Sequence, residues 1–295
     1  MNIRHLEFVV AVAEYKNFTK AAEAVHISQP SLSHAVATIE KQIGTSLFHR
    51  LGRTVALTSA GEAFVESARV ILRDLAVLHE SVRSVNELES GHLDIAAPQS
   101  TAAGILADAV GLFRTQFPGI SLRIQTSENA HDIERLVRTG KCELALTTEK
   151  VAPPLLEEVC SVQSNLAVFP PGTDVQEGVL PHSAFAGKPL IVPTGIYQYY
   201  GGFLLDIPSG LEQPVLAVET DSRQALIPLV LSGAGITFLP TGLATHAQRL
   251  GCVVREINPP LTQEIRLIMR QGPLSPAALE FRRAVYSLNP ETSAT

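Results

Sequence analysis

Between Ser59 and Leu88 the chain runs for thirty residues without a proline and with one glycine, Gly61, near the start. Along it Phe64, Ala68, Ile71, Leu75, Leu78, Val82 and Val85 recur at steps of four and three. That is a 3.5-residue repeat, the seam of a two-helix coiled coil. Glu62, Glu66, Arg69, Arg73, Asp74, Glu80 and Arg83 lie off the seam. The pattern predicts one long helix, capped by Ser59 and broken by Glu89-Ser90-Gly91, that pairs with a second copy of the chain. A helix packed on its own domain is the alternative. Either way, the chain is divided into residues 1–58, a linker over 59–89 and a large segment over 91–295.

In the first segment, Leu6, Val9, Val10 and Ala13 have helical spacing. Phe18-Thr19 reads as staple and cap for a second helix, Lys20 to Val25. Small Ala21, Ala22 and Ala24 allow close helix approach, and Val25 and Ile27 supply core. Ser28 is placed to cap a third helix that tolerates Pro30 in its first turn and runs to about Gln42. That helix buries Leu32, Val36 and Ile39, and its other face presents Gln29, Ser31, Ser33, His34 and Thr38. A short helix, a tight turn and a helix with a donor-rich start describe a helix-turn-helix, whose last helix enters the DNA major groove. Leu47-Phe48 and Val55-Ala56-Leu57 then flank a turn at Gly52 that carries Arg50 and Arg53. This reads as a wing whose arginines suit phosphate or minor-groove contact.

The elements Phe18-Thr19-Lys20-Ala21-Ala22, Ser28-Gln29-Pro30-Ser31-Leu32-Ser33, Ile39-Glu40, Gly44, Leu47-Phe48, Arg50 and Leu57-Thr58-Ser59-Ala60-Gly61 stand in fixed order. In this the segment resembles the DNA-binding module of the LysR-type transcriptional regulators. His34 stands where relatives often carry arginine, and Ala37-Thr38 replace a frequently basic pair. The resemblance implies dimerisation through the linker helix.

Beyond Gly91, strand-like runs alternate with helical ones. Strands are expected at 93–97, 120–126, 143–147, 166–169, 190–192, 216–219, 236–239, 253–257 and 265–270. Helices are expected at 105–113, 133–139, 201–205, 222–231 and 275–288, with Pro228 kinking or shortening the fourth. Such alternation predicts parallel α/β sheets covered on both faces. Ser232-Gly233-Ala234-Gly235-Ile236-Thr237-Phe238-Leu239-Pro240 and the opening strand at 91–97 resemble the LysR-type effector domain. That resemblance implies a periplasmic-binding-protein-like domain of two α/β subdomains, 91–162 with 266–295 and 163–265, hinged near 162 and 265.

Ligands of open α/β sheets bind beyond the carboxyl ends of strands. Here those ends carry Gln99-Ser100-Thr101, Ser127-Glu128-Asn129 and Thr147-Thr148-Glu149, with Thr220 at a fourth. Tyr197, Tyr199, Tyr200 and Phe203 form the densest aromatic cluster. The expected effector is a small organic acid, its carboxylate on Ser100, Thr101 and Thr148 and its body against the aromatics. For each residue singly, a plain helix cap or core position stays open.

Net charge is −6 and the pI about 5.9, which argues against a generic polyanion binder. Residues 1–60 nevertheless hold six Lys/Arg against four Asp/Glu, so DNA would be met by a local patch. No apolar run reaches the ~20 residues that span a membrane, and Met1–His5 begins no secretory leader, so a cytoplasmic location is expected. Gly-x-Ser-x-Gly, the phosphate-loop pattern and His-Glu-x-x-His are all missing. No cofactor, no metal and no catalysis are expected. The expected partners are double-stranded DNA, the effector, RNA polymerase and further copies of the chain as a homodimer or dimer of dimers. The rivals are a solute-binding protein, an enzyme on a borrowed fold, and a redox sensor using Cys142, Cys160 or Cys252.

Overall fold

The computed structural model describes residues 1–51, 54–83, 90–194 and 211–288. Helix α1 (Ile3–Tyr15) begins at Asn2, whose side chain accepts the His5 N–H at 3.0 Å. Helix α2 (Phe18–Ala24) is capped by Asn17, which accepts the N–H groups of Thr19 and Lys20. The cap therefore lies two residues before Thr19, and Phe18 is inside the helix with its ring 6.0 Å from that of Phe48. The turn to α3 (Gln29–Ile43) is closed by Ile27 N–H donating to the Ala22 carbonyl at 3.0 Å, with His26 at φ 56°. Ser28 caps α3 as expected, and Gly44 ends it at φ 77°, a left-handed value that costs glycine little. Strands β1 (Phe48–Leu51) and β2 (Thr54–Leu57) make an antiparallel wing. Leu32, Val36 and Ile39 of α3 meet Val9, Val12, Ala21 and Leu47 in one core.

Helix α4 (Ser59–Arg83) starts one residue earlier in its capping than expected, since the Thr58 hydroxyl accepts the Gly61 N–H at 2.9 Å. At Gly61 a Cβ would lie 2.0 Å from the Leu47 carbonyl oxygen, so only glycine lets α4 lie against the entry to the wing. The expected seam divides between two sides. Ala68 is buried with Val65 and Val77 against the chain's own body, and Phe64 packs against the first core. Ile71 and Leu78 are 45% and 60% exposed. The helix thus has one face packed internally, as the alternative reading expected, and an exposed apolar line at Ile71 and Leu78.

The remaining chain is organised by a seven-stranded sheet. Its strands are β3 (Gly91–Ala97), β4 (Ile120–Thr126), β5 (Leu144–Thr147), β6 (Leu155–Phe169), β10 (Thr237–Pro240), β11 (Val253–Arg255) and β13 (Leu261–Arg270). The order is β10-β6-β13-β5-β3-β4, with β11 also on β6. Only β3 with β4 and β5 is parallel; β13 and β6 run antiparallel to their neighbours, so the sheet is mixed rather than all parallel. The fifteen-residue β6 and the ten-residue β13 pass from one half of the domain to the other, with a register shift at Ile265/Arg266.

On the first half, α6 (Ile105–Gln116) and a C-terminal helix (Pro276–Ser287) cover the sheet. Phe113 and Phe281 meet there edge-on at 5.5 Å, both fully buried. Each such ring contributes about 1.5–3 kcal/mol by leaving water. The short α5 (Gln99–Ala102) and α7 (Ala130–Arg138) follow β3 and β4. In the second half β7 (Leu180–Pro181) pairs with β12 (Ile257–Asn258), and β8 (Pro189–Pro193) with β9 (Val215–Thr220), both parallel. Helices α8 (Leu226–Leu231) and α9 (Thr241–Arg249) pack there, and Leu226, Val230, Ala244 and Ala247 join one core. Pro228 does shorten its helix, to six residues. The C-terminal helix is α10. The expected helix at 201–205 lies outside the described residues.

Candidate functional site

Two surfaces concentrate the sequence-predicted residues. The first is the start of α3. Gln29, Ser31 and His34 are exposed there, and Ser33 and Thr38 are half-buried. Gln29 Nε2 donates to Ser33 Oγ at 2.9 Å, and the Ser28 and Ser31 hydroxyls lie 2.7 Å apart. Thr38 donates to the His34 carbonyl at 2.8 Å. These side chains are therefore held in a row by their own contacts, a preorganised set of donors and acceptors. The wing is fixed to the same helix, because the Glu40 carboxylate accepts the N–H groups of Leu47 at 2.7 Å and Phe48 at 3.3 Å. Arg50 sits in β1 opposite Val55. Arg53 lies outside the described residues.

The second is a cleft of about 300 Å³ between the two halves of the C-terminal domain. Ser100, Thr147 and Thr148 line it from the first half, together with Glu128 and Glu149. Thr194, Asp221, Arg223 and Phe238 line it from the second, and Asn165 and Gln263 come from the crossing strands. Thr147 is buried and its hydroxyl accepts the Glu149 N–H at 3.1 Å. Among the described residues neither the Ser100 nor the Thr148 hydroxyl has a hydrogen-bond partner, so both remain open to a ligand.

The backbone N–H of Gln99, at the start of α5, is occupied. It donates at 3.1 Å to Glu128 Oε1, and the other oxygen, Oε2, takes the Nε–H of Arg223. One carboxylate thereby joins a backbone donor on one wall to a guanidinium on the other. Three other expected residues stand aside. Thr101 is buried beneath the wall. Ser127 accepts from the Asn129 N–H and donates to Asp132, and Thr220 accepts from the Ser222 N–H at 3.1 Å. Tyr197, Tyr199 and Phe203 lie outside the described residues. Arg223, Asn165 and Gln263 were not expected; a lone arginine just before the apolar run Leu226–Leu231 is the one hint the sequence offers.

The three thiols are all buried. Burial pushes Cys142 and Cys160 up to about 12, and raises Cys252 as well. A thiol reacts as its thiolate, the form that burial disfavours at all three. Among the described residues no group of three or more His, Cys, Asp or Glu is arranged to hold a metal, and no helix is long and apolar enough to cross a membrane.

The chain matches two family profiles, "Bacterial regulatory helix-turn-helix protein, lysR family" over residues 3–62 and "LysR substrate binding domain" over 86–288. It is 29% identical over 283 residues to the DNA-binding transcriptional dual regulator OxyR of Escherichia coli, covering 92% of this chain and 90% of that one. It is 30% identical to a hydrogen peroxide-inducible genes activator of Pectobacterium carotovorum, covering 92% and 91%. Its fold matches full-length OxyR from Pseudomonas aeruginosa with TM-score 0.79 at 20% identity, over 97% and 94% of the two chains. It also matches CbnR in complex with its target DNA, with TM-score 0.60 at 21% identity, over 97% and 99%.

Proposed function

We propose, on the premise that the chain belongs to the LysR family of bacterial helix-turn-helix regulators, that it reads a specific DNA sequence under the control of a small organic acid. This family consists of DNA-binding transcription regulators rather than enzymes, and its members join a helix-turn-helix module to an effector-binding domain. Gln29, Ser31, Ser33 and His34 contact base edges, Thr38 belongs to the same DNA-facing set, and Arg50 and Arg53 contact the phosphate backbone. Two chains pair along the exposed line of Ile71 and Leu78 on α4 and present two modules to an interrupted palindrome, alone or as a dimer of dimers. The assembly works in the cytoplasm and meets RNA polymerase there.

The observation that carries the effector reading is the Glu128 bridge across the cleft. It demonstrates that a carboxylate satisfies both the Gln99 N–H and Arg223. An acid with the same group competes for those partners, and the open hydroxyls of Ser100 and Thr148 add donors. The subdomains, 91–162 with 266–295 and 163–265, change their closure as ligand and Glu128 exchange. A ligand shifts that equilibrium only through unequal affinity for the two closures, typically worth about 1–3 kcal/mol. The name of the Pectobacterium relative speaks of hydrogen peroxide, but the burial of Cys142, Cys160 and Cys252 speaks against a thiol-based response here.

Footprinting on the DNA upstream of the chain's own gene, with and without a panel of carboxylates, tests this. Protection of a symmetric site whose extent changes with one acid is expected. Gln29→Ala relaxes sequence preference, and Arg53→Ala weakens specific and random DNA alike with a shallower salt dependence. Protection no stronger than on random DNA refutes the regulator reading. A response to amines or sugars in place of acids refutes the effector class.

A further inference from the structure

Away from the cleft, a second cavity of about 630 Å³ lies where α1 and α4 meet the first half of the C-terminal domain. The two parts approach closely. The turn at Gly140 comes so near α4 that a Cβ there would be 3.6 Å from the Arg69 backbone, and Arg270 pairs with Asp74 at 3.4 Å. Five fixed cations line the cavity. Lys16, Arg69 and Arg73 come from the DNA-binding side and its linker, Arg123 and Lys141 from the effector-binding side.

Three carboxylates share the cavity, two of them in close contacts, while Asp94 Oδ1 is buried and accepts no hydrogen bond among the described residues. Glu14 pairs with Arg69 at 3.2 Å. Asp94 pairs with Arg123 at 3.7 Å and with His92 at 3.6 Å. Glu143 accepts the N–H of Ser275 at 2.6 Å and its hydroxyl at 2.9 Å, which fixes the start of α10. Lys16, Arg73 and Lys141 are left without a carboxylate partner among the described residues. The Nη1 atom of Arg73 is buried and donates to nothing there. Burial, then the neighbouring Arg69 and Arg135, hold the Lys141 ammonium below its ordinary value. Glu143 and Asp94 favour the charge on Arg73 and Glu14 that on Lys141, yet across the cavity five cations face three carboxylates.

We infer that this cavity is a second ligand site, which takes a small multiply charged oxyanion between Lys16, Arg69 and Arg73 on one side and Arg123 and Lys141 on the other. Guanidinium groups bind such oxygens in pairs, and the volume is that of an ordinary metabolite site. Because the two sets of cations belong to different parts of the chain, a bound anion ties the DNA-binding module to the effector half. The site therefore reaches DNA binding directly, without passing through the cleft.

The test is calorimetric titration of the full-length, DNA-free protein with pyrophosphate and with citrate, ionic strength being held constant with sodium chloride. Saturable binding of both is expected, at one site per chain. Lys141→Gln and Arg123→Gln, both surface changes, should each weaken it at least tenfold, whereas Arg223→Ala in the cleft should leave it unchanged. Absence of saturable binding in the unaltered protein overturns the inference, as it would if a second copy filled the cavity in the dimer. Binding that survives Lys141→Gln and Arg123→Gln but disappears with Arg223→Ala assigns the anion to the cleft and overturns it too. The footprinting response to carboxylates is a separate readout, so either reading can fail alone.

Discussion

Replacing Glu128 with glutamine removes the charge of the bridge while keeping its shape. In the unaltered protein the carboxylate holds the Gln99 N–H at 3.1 Å and the Arg223 guanidinium. A hydrogen bond to a charged group contributes roughly 1.5–3 kcal/mol where water is excluded. Here the Arg223 and Glu128 side chains are 25% and 31% exposed, and solvent screening brings the figure down to about 1–2 kcal/mol. An incoming carboxylate must displace that charged interaction, whereas in Glu128→Gln it displaces only a neutral amide. Acetate, the simplest carboxylate probe, should bind the variant about 5- to 30-fold more tightly, at about 1.4 kcal/mol per factor of ten. Arg223→Ala should weaken acetate instead. The measurement is calorimetric titration at fixed ionic strength, with thermal unfolding as a check that both variants remain folded. Unchanged or weaker acetate binding by a folded Glu128→Gln protein would refute the exchange of ligand for Glu128.

Gly61→Ala forces a Cβ to within 2.0 Å of the Leu47 carbonyl, so the wing or the linker must move. A loss of about 3 kcal/mol is expected, read as a lower unfolding midpoint and lost DNA affinity. With thiols near 12, only about one part in 100,000 of Cys142 or Cys160 is thiolate at neutral pH. Hydrogen peroxide should accordingly leave DNA binding unchanged in a mobility-shift assay. The same thiols lie above their ordinary value of 9.0, so they favour the folded state fully below that pH. This contribution is lost as pH rises towards 12, and alkaline unfolding of Cys160→Ala should lack part of that slope. Ile71→Glu with Leu78→Glu on the exposed line of α4 should yield monomers in sedimentation and at least tenfold weaker binding to a palindromic site.

The helix-turn-helix was legible because its signals are local. The Ser28 cap, the Pro30 start and the spacing of Leu32, Val36 and Ile39 all lie within twelve residues. The cap of α2 was misread because Thr19 looks like a cap, although the Asn17 side-chain oxygen Oδ1 accepts the first helical N–H groups. Most of β6 escaped notice for a different reason. Its Glu157, Glu158, Gln163, Ser164 and Asn165 break the apolar run. What makes them a strand is pairing with β13, about a hundred residues away. In the cleft, Ser100, Thr147 and Thr148 could be named from strand ends alone. Arg223 could not, because its partner lies 95 residues earlier and only the meeting of the two halves brings them together.

The strand order has a consequence for how the chain is made. Strand β13 fills the slot between β5 and β6, yet it ends at Arg270 and emerges late from the ribosome. Until then both flanking strands present unpaired edges, which are templates for pairing with other chains. The module formed by α1 to β2 has its own core and short-range contacts, so it can fold first. During synthesis there is thus an interval in which the helix-turn-helix module is complete and the effector-binding domain is still an open sheet.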